Sequence, residues 1–282
     1  LKMVSMNCRG LRDISKRKDV FNFLRVMKAN IYCLQDTHLK ESETENIRSQ
    51  WGYSVLISGN RSDARGTAIL LNNNFEYDEL DYSLDKEGNY ILFRLNVYNQ
   101  TMLLLVYGPN QDDPTFYYSL SNLILTMSYD HLIICGDWNL VQNFDRDCKH
   151  YKKQNNPNAT KTVLEMKDSL NLVDVLRSHN PETSRFTWFR NTPNRRARLD
   201  FFLISNHLMN NYEKSDIVPG YRTDHAIITL ILSFSSFQKG KGYWKFNNAL
   251  LKNKEYVQKV KVCISEIKKE YALPVYNLNT MQ

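Results

Sequence analysis

The sequence predicts an α/β sandwich, two packed β-sheets covered by helices, with a basic helical extension behind it. Three observations carry this. Short apolar segments rich in Leu, Ile, Val and Tyr recur through the first 235 residues, with turn residues between them. Amphipathic helical patterns are interposed among these segments instead of being gathered at one end. The charge then changes abruptly: of the net +7, +6 lies in Gln238–Gln282, where nine Lys face three Glu.

Taken in order, Ser15–Lys28 places Val20, Phe21, Leu24 and Met27 at helical spacing, with Ser15 as the N-cap candidate. Strands are expected at Ile31–Gln35, Tyr53–Ser58, Thr67–Leu71, Tyr90–Val97, Thr101–Tyr107 and His131–Gly136. Gly59-Asn60, Asn72 to Asn74, Gly88-Asn89 and Asn99-Gln100 separate them. Helical patterns cover Pro114–Tyr129 and Thr160–Leu176, and further strands fall at Ser184–Arg190, Arg198–Ile204 and Ala226–Leu232. The stretch from Ser233 to Gly242 reads as a linker. Leu250–Tyr271 reads as a Lys-rich amphipathic helix. A boundary near residue 235 follows, giving domains 1–235 and 236–282.

Composition sets the outer limits. With 42% hydrophobic and 24% charged residues, the chain has material for a substantial core. No apolar run approaches the ~18 residues that span a bilayer, so no membrane partner is expected. The N-terminus is too short and too soon polar for a secretory signal, and a start at Leu1 reads as part of a longer protein. Cys8, Cys33, Cys135, Cys148 and Cys263 are scattered without CxxC spacing. Neither a zinc site nor a disulfide framework is indicated, and a reducing compartment is the simpler reading. The basic balance favours a polyanionic partner such as nucleic acid.

The informative feature is a set of polar residues where apolar strands finish. Val4-Ser5-Met6 leads into Asn7, and Ile31 to Leu34 leads into Gln35-Asp36-Thr37-His38. Leu103 to Val106 leads into Tyr107-Gly108-Pro109-Asn110, and Leu132 to Cys135 into Gly136-Asp137-Trp138-Asn139. Thr223-Asp224-His225 immediately precedes another apolar strand. Taken singly, each reads first as a turn or a cap. Side chains at strand ends, however, converge on one edge of an α/β sheet, where sites are built.

Phosphoester hydrolysis is the chemistry such a set can perform. An anionic ester needs a cation, a base to make a nucleophile, and donors to the developing oxyanion. Asp36 and Asn7 are hard oxygen ligands that suit Mg²⁺, with Mn²⁺ as the alternative. Asp137 is placed to take a proton from water. Asn139, two residues on and so on the same face of an extended segment, would orient that water. His225 and Tyr107 would donate to phosphate oxygens, and Asp200 is the carboxylate candidate for holding the imidazole.

These motifs, in this order and with Arg198-Leu199-Asp200, resemble the endonuclease/exonuclease/phosphatase superfamily over residues 1 to about 235. The branch they are most similar to is the apurinic-type endonuclease domain of long interspersed (LINE) non-LTR retrotransposons. The resemblance implies a four-layered α/β sandwich, two packed mixed β-sheets flanked by helices. It implies Asp36 as metal ligand with Asn7 beside it, and Asp137 and Asn139 at the attacking water. Tyr107 and His225 would bind the scissile phosphate, with Asp200 orienting His225 and Asp224 supporting the metal side. Gly240 to Asn247 and the following helix resemble the connector toward a reverse transcriptase. The basic tail is then a candidate site for element RNA, and a nuclear location follows from the substrate.

Two departures from the family pattern matter. Asp36 stands where the family usually has Glu. The missing methylene withdraws the carboxylate by roughly 1–1.5 Å, which predicts weakened metal affinity. Ala197 stands where abasic-site repair members carry a pocket-forming Trp, which favours nicking of intact double-stranded DNA. Arg190, Arg195, Arg196 and Arg198, in the expected hairpin between Thr187 and Leu199, are candidates for phosphate contacts. The rival readings are an apurinic repair endonuclease or phosphatase of the same fold, and a catalytically weakened DNA-binding relic.

Overall fold

The computed structural model describes residues 1–59, 63–97, 99–234, 251 and 253–270. The expected linker from residue 235 on and both ends of the expected terminal helix lie outside these residues. Along the chain run β1 (Lys2–Asn7), α1 (Ile14–Met27), β2 (Ile31–Gln35), α2 (Thr44–Trp51), β3 (Val55–Ser58) and β4 (Thr67–Leu71). Next come β5 (Asp78–Leu84), β6 (Tyr90–Asn96), β7 (Gln100–Tyr107), α3 (Pro114–Leu125), β8 (His131–Asp137) and α4 (Phe144–Asp147). Then follow β9 (Cys148–Lys149), α5 (Pro157–Ser169), β10 (Leu172–Asp174), α6 (Val175–His179), β11 (Trp188–Arg190) and β12 (Arg195–Ala197). The last are β13 (Asp200–Ser205), β14 (Tyr212–Val218), β15 (Ile227–Leu232) and α7 (Lys254–Glu270).

Two six-stranded mixed sheets form, ordered β14-β15-β1-β2-β4-β3 and β10-β13-β8-β7-β6-β5, with a small third sheet β11-β12-β9. Each large sheet is built on one central parallel pair, β1 with β2 and β7 with β8, and its other pairings are antiparallel. The central strands are buried on both faces, which is why they read as unbroken apolar runs. In β1, β2 and β8, Met3, Ile31, Cys33, Ile133 and Cys135 enter the core between the sheets. Their alternates Val4, Met6, Tyr32 and Leu34 pack outward with Val20, Phe21 and Leu24 of α1 and Trp51 of α2. On the other side, Leu104, Ile134 and Leu203 pack with Tyr117 and Leu120 of α3 and Val163 of α5. Helix, sheet, sheet and helix therefore stack as four layers. The five cysteines are free, and Cys8, Cys33 and Cys135 are core residues. Among the described residues, no helix is long and apolar enough to cross a membrane.

Most expected elements fall within a residue or two of their places. Helix α1 is capped by Asp13, not Ser15: its carboxylate accepts from Lys16 N at 2.6 Å. The single helix expected over Thr160–Leu176 is three elements. Asn171 turns left-handed (φ 49°), Leu172–Asp174 pairs with Leu203–Ser205, and Asp174 caps α6. Strand β5 had no apolar signal. Its residues Asp78 to Tyr82 are exposed at a sheet edge, where composition reports solvent and not pairing.

The chain divides into two compact units, Leu1–Phe237 and Gln238–Gln282. In the second, α7 is a Lys-rich helix with exposed Val260, Val262, Ile264 and Ile267.

Candidate active site

Register brings the polar strand ends together. Asn7 lies opposite Gln35 across the parallel β1–β2 pair, and Tyr107 lies opposite Asp137 across β7–β8. Asp200 opens β13 directly opposite Asp137. His225 stands two residues before β15, which runs antiparallel to β1, so it arrives at the same edge. Glycine makes the approach possible: a Cβ on Gly136 would lie 1.8 Å from the Val106 carbonyl oxygen, so no other residue fits beside β7.

The result is a cavity of about 240 Å³ walled by Asn7, Asp36, Tyr107, Asp137, Asp224 and His225, together with Arg9, Asn110, Asn139, Tyr151, Trp188 and Leu199. A chain of polar contacts crosses it. Asp200 Oδ2 accepts from His225 Nδ1 at 2.9 Å, and His225 Nε2 faces Asp137 Oδ2 at 3.8 Å. Asn7 Nδ2 donates to the same Asp137 oxygen at 2.9 Å, and Asn139 N donates to Asp137 Oδ1 at 3.0 Å. Thr223 Oγ1 donates to the Asn7 carbonyl and accepts from His225 N, which locks the two strand ends to each other.

Burial sets the protonation of these groups. Burial, with the Asp200 carboxylate beside it, pushes Asp137 up to about 7, against the opposing pull of His225 and the Asn7 and Asn139 donors. Burial alone would lower His225, but the Asp200 and Asp137 carboxylates outweigh it and raise the imidazole to about 9. Burial, then the Asp36 and Asp137 carboxylates, keep the Tyr107 phenol protonated. Its hydroxyl lies beside the Asp36 carboxylate.

Of the site residues expected from the sequence, Asn7, Asp36, Tyr107, Asp137, Asn139, Asp224 and His225 all line this cavity, and Asp200 sits behind it. Two expectations need correction, those for Asn139 and Arg198. Asn139 does not continue the strand: it adopts φ 51°, its Nδ2 donates to the Gly108 carbonyl at 2.7 Å, and its backbone N–H caps Asp137. Asp224 Oδ2 accepts from Trp188 Nε1 at 3.3 Å and pairs with Arg9 at 3.5 Å, so its contacts anchor the cavity wall. Arg198 is no DNA ligand. It is 1% exposed, with Nε 2.8 Å from Asp147 Oδ1 and Nη1 2.7 Å from Asp174 Oδ2.

The hairpin itself forms, β11 pairing with β12 in the register Phe189–Arg196 and Arg190–Arg195. Arg190 and Arg196 are exposed and Arg195 is half-buried over the Tyr151 ring. Its root is tied to the site: Trp188 bridges His225, and Ala226 N donates to the Thr187 carbonyl. Thr187 Oγ1 accepts from both Leu199 N and Asp200 N. In the sequence, Trp188 and Thr187 belong to the hairpin without a marked role. Arg9 is silent there too, its one signal being its place two residues after Asn7.

The donor set of the cavity is carboxylate, amide and phenol oxygen. It holds no thiol and a single imidazole, whose Nδ1 is already bonded to Asp200. That set fits a hard divalent cation. The ligand atoms of Asp137, Asp200 and His225 lie within 4.8 Å of one another; the His225–Asp200 hydrogen bond joins two of them, and Asp200 Oδ1 is buried with no hydrogen-bond partner. Asp36 and Asn7, the two oxygen ligands expected from the sequence, line the same cavity. Asp36 takes φ 49°, a conformation short polar residues tolerate, and its Oδ1 is 3.1 Å from His38 Nε2.

Residues 4–225 match the Endonuclease/Exonuclease/phosphatase family, and the chain belongs to it. It is a hydrolytic enzyme built on the nuclease fold of that family. Among its relatives is the Transposon TX1 uncharacterized 149 kDa protein of Xenopus laevis, 29% identical over 268 residues. That match covers 93% of this chain but only 20% of the Xenopus protein's length. The exodeoxyribonuclease of Bacillus subtilis (strain 168) is 24% identical, covering 83% of this chain and 100% of that protein. Of solved structures, the AP endonuclease LMAP of Leishmania major superimposes with a TM-score of 0.69 at 18% identity, over 83% of this chain and 87% of that one. The catalytic domain of Xenopus laevis APE2 gives 0.67 at 21%, over 83% and 92%.

Proposed function

We propose that this chain is a Mg²⁺-dependent endonuclease that nicks double-stranded DNA to leave a 3′-hydroxyl, priming reverse transcription by a longer retrotransposon protein. The observation that carries the hydrolytic part is the chain Asp200–His225···Asp137–Asn7 in one cavity with Asp36. A Mg²⁺ held by Asp36 and Asn7 would supply charge neutralisation at the phosphate and the departing oxygen. Asp137 accepts the proton of the attacking water, and the Asn7 amide fixes the accepting oxygen. His225, charged and held at Nδ1 by Asp200, presents Nε2 to a phosphate oxygen. Tyr107, kept protonated, offers its hydroxyl to another.

The retrotransposon role is supported by the extent of the matches. Coverage of 93% is more than Leu1–Phe237 can supply, so the transposon match enters the basic segment that follows. Element RNA as a partner of that segment, fusion to a reverse transcriptase, and a nuclear location belong to the same reading. The apolar wall of Trp188, Leu199 and Tyr151 favours a second reading, acceptance of an abasic site.

One assay tests both: supercoiled plasmid with Mg²⁺, for wild type, Asp137→Ala and His225→Ala, beside an abasic oligonucleotide and a phosphoinositide. Relaxed plasmid formed by wild type and lost in both variants is the expected result. Preferential turnover of the abasic or lipid substrate would replace the first reading, and binding without turnover would reduce the chain to a DNA-binding relic.

A further inference from the structure

A second recess lies beyond the hairpin wall. Trp188 and Phe189 are consecutive in β11, and consecutive strand residues point to opposite faces. Trp188 closes one side of the catalytic cavity, while Phe189 lines an adjoining groove of about 610 Å³. Arg9, Asp224 and His225 line both spaces, so the groove and the cavity adjoin at those residues. Among the residues lining the cavity, Arg9 and His225 are the only cationic side chains.

Arg9 has a fixed base and a loosely held head. Its backbone takes φ 49°, its amide donates to Asn7 Oδ1 at 3.0 Å, and its carbonyl accepts from Lys16 Nζ at 2.7 Å. Its guanidinium, in contrast, is 68% exposed and meets Asp224 only at 3.5 Å, beyond good hydrogen-bond distance. Arg222, the other arginine of the groove, is held to Asp19 at 2.5 Å. A guanidinium fork matches phosphate oxygens, and Arg9 is the one placed to change partners. Phe189, 40% exposed, presents an aromatic ring in the same groove.

We propose that this groove holds the DNA nucleotide adjoining the scissile phosphate, with Arg9 passing from Asp224 to a backbone phosphate and Phe189 stacking on the base. The inference rests on the DNA-nicking reading above.

The test is fluorescence anisotropy of a labelled DNA duplex in EDTA, over a salt series. Arg9→Ala should weaken binding about tenfold and lower the salt slope by about one phosphate contact. Phe189→Leu should weaken binding about tenfold with the slope unchanged, and Phe189→Trp should restore it. Asp224→Asn keeps an acceptor for Trp188 Nε1 but frees Arg9. It should tighten binding clearly more with Arg9 present than in the Arg9→Ala background, where only the lost carboxylate–phosphate repulsion remains. Wild-type affinity and slope in Arg9→Ala, or an Asp224→Asn effect of equal size in both backgrounds, overturns the clamp. Wild-type affinity in Phe189→Leu overturns the stacking. If wild type nicks plasmid and these variants bind as it does, only this inference falls; if wild type neither binds nor nicks, the DNA-nicking reading falls with it.

Discussion

Arg198→Ala is predicted to destabilise the fold while leaving DNA recognition intact. The guanidinium is buried against Asp147 and Asp174, and Arg177 Nη2 reaches the same Asp147 oxygen, Oδ1, at 2.5 Å. Removing one member of a buried ion network leaves uncompensated charge, at a cost of about 3–5 kcal/mol. Arg177 still neutralises Asp147, and Gln142 Nε2 still donates to Asp174 Oδ2 at 2.7 Å. The lower part of that range, about 3–4 kcal/mol, is therefore expected. For a unit of this size it corresponds to a fall in Tm of about 10 °C.

The pH dependence has a definite sign. Burial raises Asp147, but the Arg198 hydrogen bond and charge reverse that and hold it below the usual carboxylate range. A carboxylate lowered on folding contributes stability above its unfolded pKa and loses it as pH falls through the folded one. The Tm gap between wild type and Arg198→Ala should thus be full at neutral pH and close below about pH 4. Thermal unfolding across pH, with anisotropy across salt at a temperature where both proteins are folded, reads out both effects. A Tm within about 2 °C of wild type, together with a reduced salt slope, would refute the buried-network account and restore Arg198 as a DNA contact.

In Asp200→Asn, the carboxylate that raises His225 is gone, so the imidazole should titrate below its present value of about 9. The alkaline limb of nicking should shift to lower pH with it; NMR titration and a pH–rate profile check this, and an unmoved limb would contradict the assignment. Asp36→Glu restores the missing methylene and should lower the Mg²⁺ concentration for half-maximal nicking, measured by titration. An unchanged value would mean that the His38 and Tyr107 contacts already place the shorter carboxylate. Replacing Arg195 and Arg196 together by Ala should flatten the salt dependence of DNA binding by about two phosphate contacts, and an unaltered slope would return the hairpin to a solvated loop.

The layers, the central strands and most of the residues that meet in the cavity were legible in the amino-acid order. Doubly buried strands must be continuously apolar, so a polar residue ending such a run is conspicuous. Asn7, Asp36, Tyr107 and Asp137 were visible for that reason. Partnership was not, and it emerged only from the packed molecule. Arg195, Arg196 and Arg198 are near neighbours in sequence, yet two stay at the hairpin while the third is sealed beneath it by Asp147 and Asp174, 51 and 24 residues away. Asn139 looked like an extended neighbour of Asp137, but a left-handed turn commits its amide to Gly108. Arg9 and Phe189 acquire meaning only once the hairpin stands between two recesses. Local pattern fixes what a residue can be buried in. Which charge it meets there depends on long-range register, and that is set by the packing of the whole sandwich.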